Sequence, residues 1–236
     1  MALRRPLCLA GAALILAAAP GTAQTRRAPT PEWSWYMSAS AGLVGREIAT
    51  WKPTHTVLAL AGWDSHFQTS CLYFCQNASE VVEGRPVAPS LAVRRQLRGS
   101  WQLRLMGAVA SPGYYPGGYT VTALTVRPTT ATIGAQAVMT QNAFWVAAGP
   151  SYYRGRVETT AGPSRSTARH SGVGLVLTGG VSFPRVSNWF FETTIERRFA
   201  GSVAAPVLPV PGAPDVPALT VPLSATVLSL GVGWRL

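Results

Sequence analysis

Three features of the sequence predict an all-β fold, a closed antiparallel up-and-down barrel that crosses a membrane with its strands. Segments of about ten residues alternate apolar with small or polar side chains, the period of a strand lying between two different environments. Short connections alternate with long ones, the pattern of a transmembrane barrel. The final segment, "ATVLSLGVGWRL" at 225–236, keeps its alternation to the last residue, although chain ends fray unless something holds them.

Eight strands are predicted, over about 33–46, 86–97, 101–110, 130–140, 143–154, 171–183, 188–199 and 221–236. In the first, Trp33, Trp35, Met37, Ala39, Ala41 and Leu43 share one face, and Ser34, Tyr36, Ser38, Ser40, Gly42 and Arg46 the other. The third alternates Trp101, Leu103 and Leu105 with Gln102, Arg104 and Met106. The fourth sets Ala131, Ile133, Ala135, Ala137 and Met139 against Thr132, Gly134, Gln136 and Val138. The sixth and seventh read the same way. Val173, Leu175, Leu177, Val181 and Phe183 form the bulky face of one, and Trp189, Phe191, Thr193 and Ile195 that of the other. In the last, Leu228, Leu230, Val232, Trp234 and Leu236 oppose Val227, Ser229, Gly231, Gly233 and Arg235. Helical periodicity is absent from all of them.

Such strands need about 9–11 residues to cross a tilted hydrocarbon path. An even strand number puts both chain ends on one side of the membrane. Pairing of the last strand with the first removes both free edges, the condition for β-structure in lipid. The bulky faces then meet lipid, and Trp33, Trp35, Trp101, Trp189 and Trp234 fall near strand ends, as an interfacial aromatic girdle does. A soluble lipocalin-like barrel would invert those faces.

The connections at 98–100, 141–142 and 184–187 are short; those at about 48–85, 111–129, 155–170 and 201–220 are long. The last of these, with "APVLPVPGAPDVP", is rich in proline and is predicted to be extended and irregular rather than a strand. Within 48–85, "TVLALAGW" predicts either a strand pair above the membrane or two further membrane strands, which would make ten.

The N-terminus "MALRRPLCLAGAALILAAAPGTAQ" has a basic start, a short apolar run and small residues before Ala23, the pattern of a cleaved secretory signal peptide over residues 1–23. That run is too short for a spanning helix, which needs about 20 apolar residues. Residues 24–236 form the barrel domain. Export leaves Cys71 and Cys75, in "SCLYFC", as a candidate short-loop disulfide. A zinc site enlisting His55 or His66 matches no strong ligand spacing, so no metal and no cofactor is expected.

Net charge is +11, yet charged residues are only 12% of the chain. The arginines are scattered, with no interleaved basic and aromatic repeat, and export argues against nucleic acid as a partner.

The tail "LSLGVGWRL" and the pair "GVGLVLTGGVSFP" and "FFETTIERRF" resemble the small outer-membrane β-barrels of Gram-negative type. In that resemblance Leu230, Val232, Trp234 and Leu236 stand as the C-terminal assembly signal, although such tails most often finish on Phe or Trp. It implies location in the cell outer membrane, with outer-membrane lipid and the assembly machinery as partners; it names no external ligand. The resemblance covers nearly the whole mature chain and speaks to architecture, since one barrel shape serves many roles.

The face assignment points Arg46, Arg94, Gln102, Arg104, Gln136, Glu192, Glu196, Arg198 and Arg235 into the barrel. An eight-stranded interior is just wide enough for side chains to fill, and charges isolated from water must pair. Glu192 and Glu196 are the expected partners of these arginines. A largely plugged polar interior with a structural or surface-interaction role follows, the alternative being a small pore or an anion- or ligand-binding barrel. Some barrels of this shape act on lipid A, chemistry that needs a nucleophile and a base in contact. His170-Ser171, with Glu158 or Glu192, is the suggestive group here. Adjacent strand residues face opposite sides, His170 reads as a loop-end residue near headgroups, and no catalytic residue is assigned.

Overall fold

The computed structural model describes residues 35–44, 54, 56–63, 87–111, 115–184 and 187–236. Eleven strands are present: β1 (Trp35–Val44), β2 (Val87–Gln96), β3 (Trp101–Ala110), β4 (Tyr115–Tyr119), β5 (Thr122–Gln141), β6 (Phe144–Ala161), β7 (Ser164–Phe183), β8 (Trp189–Phe199), β9 (Ser202–Ala205), β10 (Leu219–Pro222) and β11 (Ala225–Arg235). Eight of them run antiparallel in the order β3-β2-β1-β11-β8-β7-β6-β5, and β5 pairs back with β3. The sheet therefore closes on itself as an eight-stranded barrel, not a ten-stranded one.

The C-terminal strand lies between β1 and β8. Met37 stands opposite Trp234 and Leu43 opposite Leu228, while Leu230 faces Thr193 and Val232 faces Phe191 on the other side. The last residue is held by its neighbour: the amide of Leu236 donates to the carbonyl of Trp35 at 2.9 Å. This is why the alternation runs to the end of the chain.

The faces follow the predicted register. Met37, Leu43, Leu91, Leu105, Ile133, Phe144, Phe191, Ile195, Leu228 and Leu230 are large, apolar and exposed. A closed barrel leaves no protein to cover them, and a contiguous apolar belt of this size belongs in lipid. Trp35, Trp101, Trp189 and Trp234 all lie on the outer surface, and the Trp189 and Trp234 rings meet edge to face at 4.3 Å. Trp33, Arg46, Cys71, Cys75 and residues 1–23 lie outside the described residues.

The structure departs from the sequence reading on the side away from the termini. The segments 111–129 and 155–170, expected as long connections, are largely strand. β5, β6 and β7 run 20, 18 and 20 residues, roughly twice the length needed to cross. β6 and β7 meet in a turn at 162–163, where Gly162 adopts φ 53°, a left-handed conformation that glycine enters without steric cost. β4 pairs onto the upper half of β5. The outcome is a sheet wall that continues above the barrel on one side.

The Pro-rich segment is corrected in part. It holds the hairpin β9–β10, with Val203 opposite Val221, and an isolated bridge between Leu208 and Val216. Its prolines stand outside the ladder or at its end, positions that need no amide donor. "TVLALAGW" forms neither strand pair: residues 56–60 are helical and a turn at 61–62 follows.

Candidate functional site: the barrel interior and its cap

Four arginines and two glutamates project inward from four strands. Arg94 comes from β2, Arg104 from β3, Glu192, Glu196 and Arg198 from β8, and Arg235 from β11. All are buried, as are Gln102 and Gln136. They project together because strand side chains recur on one face every second residue.

Arg94 forms an ion pair with Glu192, with side chains 4% and 2% exposed. Its guanidinium also lies over the Trp145 ring at 4.7 Å and near Phe190 and Tyr36 at 5.5 and 5.6 Å. Trp145 donates its indole N–H to Ser182 at 3.1 Å, and the Ser182 hydroxyl donates to Glu192 at 3.3 Å. Glu192 is thus approached by one cation and one neutral donor, and the cation is enclosed by aromatic faces. Cation–π contacts of this kind strengthen as water is excluded.

The second cluster centres on Glu196. Arg198 donates to it at 2.5 Å and Arg104 approaches at 3.5 Å. Arg104 also donates to Gln136 Oε1 at 2.6 Å, and the Gln136 amide donates to Thr178 at 3.0 Å and to the Val176 carbonyl at 3.2 Å. Thr178 completes the ring by donating to Glu196 at 3.3 Å. Buried charges are tolerated when paired and hydrogen-bonded on most sides. At the termini side, Arg235 donates to the carbonyls of Pro184 and Ser187 at 2.7 and 2.5 Å and stacks on Phe190 at 4.7 Å. Gln102 donates to Gln96 at 2.8 Å near the same rim.

Several partners went unnoticed in the sequence: Tyr36, Trp145, Phe190, Thr178 and Ser182. One signal was available. Three inward aromatics each face a glycine across the ladder, Trp145 opposite Gly180, Tyr153 opposite Gly172, and Phe190 opposite Gly233. A Cβ at Gly180 would meet the Trp145 ring, and one at Gly233 the Phe190 ring. The glycines leave the room that the rings fill.

Beyond this polar layer, on the side away from the termini, lies an apolar cap. Val203, Leu208, Val216, Leu219 and Val221 of the β8–β11 connection pack with Leu124, Val126, Tyr153 and Val157 of the wall. Leu58 and Trp63 join the same cluster, and the Trp63 indole donates to the Asp215 carbonyl at 3.4 Å. The Gly201 amide donates to the Tyr153 hydroxyl at 2.9 Å, and the Ser164 hydroxyl to the Pro209 carbonyl at 2.7 Å. The proline content of this region predicts an irregular connection, and the structure places a second apolar core there.

The His170-Ser171 pair is placed within β7, so His170 is not a loop-end residue. It faces inward beside Tyr153, with ring centroids 6.0 Å apart, while Ser171 pairs with the outward Arg154. Glu158 lies on the outer surface and Glu192 in the deep network. No nucleophile–base contact is assembled from these residues. Among the described residues no three His, Cys, Asp or Glu side chains gather as a metal site.

No protein-family model and no curated protein sequence matches the chain. Among solved structures, a major outer membrane protein from Thermus thermophilus is similar over 87% of this chain and 100% of that one, with a TM-score of 0.51 and 13% identity. The fold is that of an outer-membrane β-barrel. Neisserial surface protein A aligns over 86% of this chain and 97% of its own, at 15% identity and a TM-score of 0.44. Ail, the attachment invasion locus protein of Yersinia pestis, aligns over the same shares at 10% identity and a TM-score of 0.43. Its exposed apolar belt makes the chain an integral membrane barrel.

Proposed function

We propose that the protein is a non-conducting outer-membrane barrel with a structural or surface-interaction role. The observation that supports this reading is the polar network spanning the lumen, together with the apolar cluster beyond it. Ion pairs and hydrogen bonds join β2, β3, β5, β7 and β8 across the interior. An eight-stranded interior is just wide enough for side chains to fill, which favours a lumen without a continuous aqueous path. Among the described residues, the upper wall of β5–β7 and the cap extend beyond the length needed to cross the membrane, and they are the surface offered for such a role. Leu230, Val232, Trp234 and Leu236 are exposed on the outer face, and in this reading they serve as the signal for the assembly machinery. Neither a catalytic group nor a cofactor is assigned.

Planar-bilayer recording on the refolded protein tests this reading. The expected result is a silent membrane with folded protein present. Stable, salt-dependent single-channel steps would overturn the plugged reading in favour of a small pore. Anion preference in those steps would identify the lumenal arginine excess as its selectivity element.

A further inference from the structure

A second charged surface lies outside the lumen, on the outer face of the wall. A recess of about 350 Å³ is lined by Arg127, Thr129, Arg154, Arg156, Glu158 and Arg169. The register sets it out in rows. Ile133, Tyr152 and Val173 stand side by side in one row; Ala131, Arg154 and Ser171 in the next. Thr129, Arg156 and Arg169 follow, then Arg127, Glu158 and Thr167. Arg156 and Arg169 are therefore direct cross-strand neighbours. Like charges so placed repel one another, and an anion between them relieves that repulsion. The single carboxylate of the recess, Glu158, already holds Arg156 at 3.0 Å and Arg165 at 2.7 Å.

The height of the patch identifies its occupant. Phe144 begins β6 at the termini side, and Arg154 is ten residues further on. Ten residues span about 33 Å along the strand, or about 25 Å of height at a tilt near 40°, which is the height of the apolar band in such barrels. Directly below the arginines, Ile133, Tyr152 and Val173 are 70%, 54% and 78% exposed. Cations thus sit immediately above an apolar row, the arrangement that suits a lipid with its phosphate above and its chains below.

We infer that Arg154, Arg156 and Arg169 form a binding site for an anionic lipid headgroup bearing a phosphomonoester, in the leaflet away from the chain termini. The inference rests on the barrel being inserted in a membrane; it does not depend on whether the lumen conducts. Planar guanidinium groups suit phosphate because they donate two parallel N–H bonds. A free polyanion would also satisfy the arginines, but it would gain nothing from the apolar row beneath them.

The test uses the folded mature protein in phosphatidylcholine nanodiscs doped with lipid A or with its dephosphorylated form. Native mass spectrometry then reads the lipid retained. Retention of the phosphorylated form is expected to exceed that of the dephosphorylated form on the order of tenfold, and Arg154→Gln with Arg169→Gln to erase the preference. Ile133→Ser with Val173→Ser should weaken lipid retention while leaving any binding of inorganic pyrophosphate unchanged. Equal retention of the two lipids by the parent protein overturns the site, whether or not the arginine variant folds. Pyrophosphate binding as tight as that of lipid A would overturn the lipid assignment and make the patch a soluble-anion site. Failure of the parent to enter nanodiscs would instead sink the membrane reading itself.

Discussion

Removing the carboxylate of Glu192 should reveal whether the lumen is dry. Its side chain is 2% exposed and that of its partner Arg94 is 4% exposed. Truncating one member of a buried ion pair leaves an uncompensated charge and costs about 3–5 kcal/mol. If water filled the barrel, the same pair would behave as an exposed one, contributing about 0–1 kcal/mol. Arg94 keeps its Trp145, Phe190 and Tyr36 faces in either case, so those contacts cancel in the comparison. Glu192→Ala is therefore expected to destabilise the folded barrel by about 3–5 kcal/mol. Glu192→Leu with Arg94→Leu, which removes both charges, should recover much of the loss, because buried pairs replaced by apolar residues are often neutral or stabilising. Urea titration in lipid vesicles, followed by tryptophan fluorescence and heat-modifiable gel mobility, measures both. A loss below about 1 kcal/mol for Glu192→Ala would refute the dry, packed lumen, and conductance by the parent protein should then accompany it.

On the lipid face, Leu230→Arg should impair refolding into liposomes more than Leu236→Arg, since an arginine costs about 2–4 kcal/mol near the midplane and about 0–1 near the interface; equal folding yields would contradict the outward assignment of Leu230. Gly180→Val should displace the Trp145 ring, whose space it would enter, and lower stability by about 1–3 kcal/mol, seen as a shifted tryptophan emission and an earlier urea midpoint. Val221→Asp, at a fully buried cap position, should expose the 200–224 connection to protease while the barrel keeps its heat-modifiable mobility; loss of the barrel itself would show that cap and barrel fold as one unit.

The membrane-spanning half was legible because each spanning strand has two unlike environments. Leu228, Leu230 and Val232 could not share a face with Ser229, Gly231 and Gly233 without exposing one set to the wrong solvent, so the alternation carried the register. The upper half has no such contrast. On β6, Arg154, Arg156 and Glu158 face outward while Tyr153 and Val157 face the cap, and on β7 His170 is an exposed residue on the inner side. With water outside and a small core inside, the pattern looks like that of a polar loop. The Pro-rich segment misled for a different reason. Its prolines argue against a central strand, but β9 and β10 form only a two-stranded hairpin, where a proline at the end of a strand costs no ladder bond. The inward charges were legible as a set, whereas their pairing needed three-dimensional registers that join β8 to β2 and β3 across the lumen.

The polar network has a consequence for register that its energy alone does not convey. A buried ion pair contributes little net stability against an apolar core, so stability is a weak reason for six charged side chains to line this barrel. Register is a stronger one. A slip of β8 by one residue would turn Glu192, Glu196 and Arg198 toward lipid and Phe191 and Ile195 inward, because side chains alternate with period two. A single arginine moved to the lipid face near the midplane costs about 2–4 kcal/mol, and carboxylates less. The same slip would leave Arg94 and Arg104 without their partners in the lumen, each facing the cost of an unpaired buried charge. An interior of leucine and valine would impose neither penalty, since such residues are tolerated on both faces. The charges thus disfavour every odd register by several interactions at once. The glycines at 172 and 233 act in the same sense: each stands opposite its aromatic partner, and a one-residue slip in either direction would set that ring against a side chain instead.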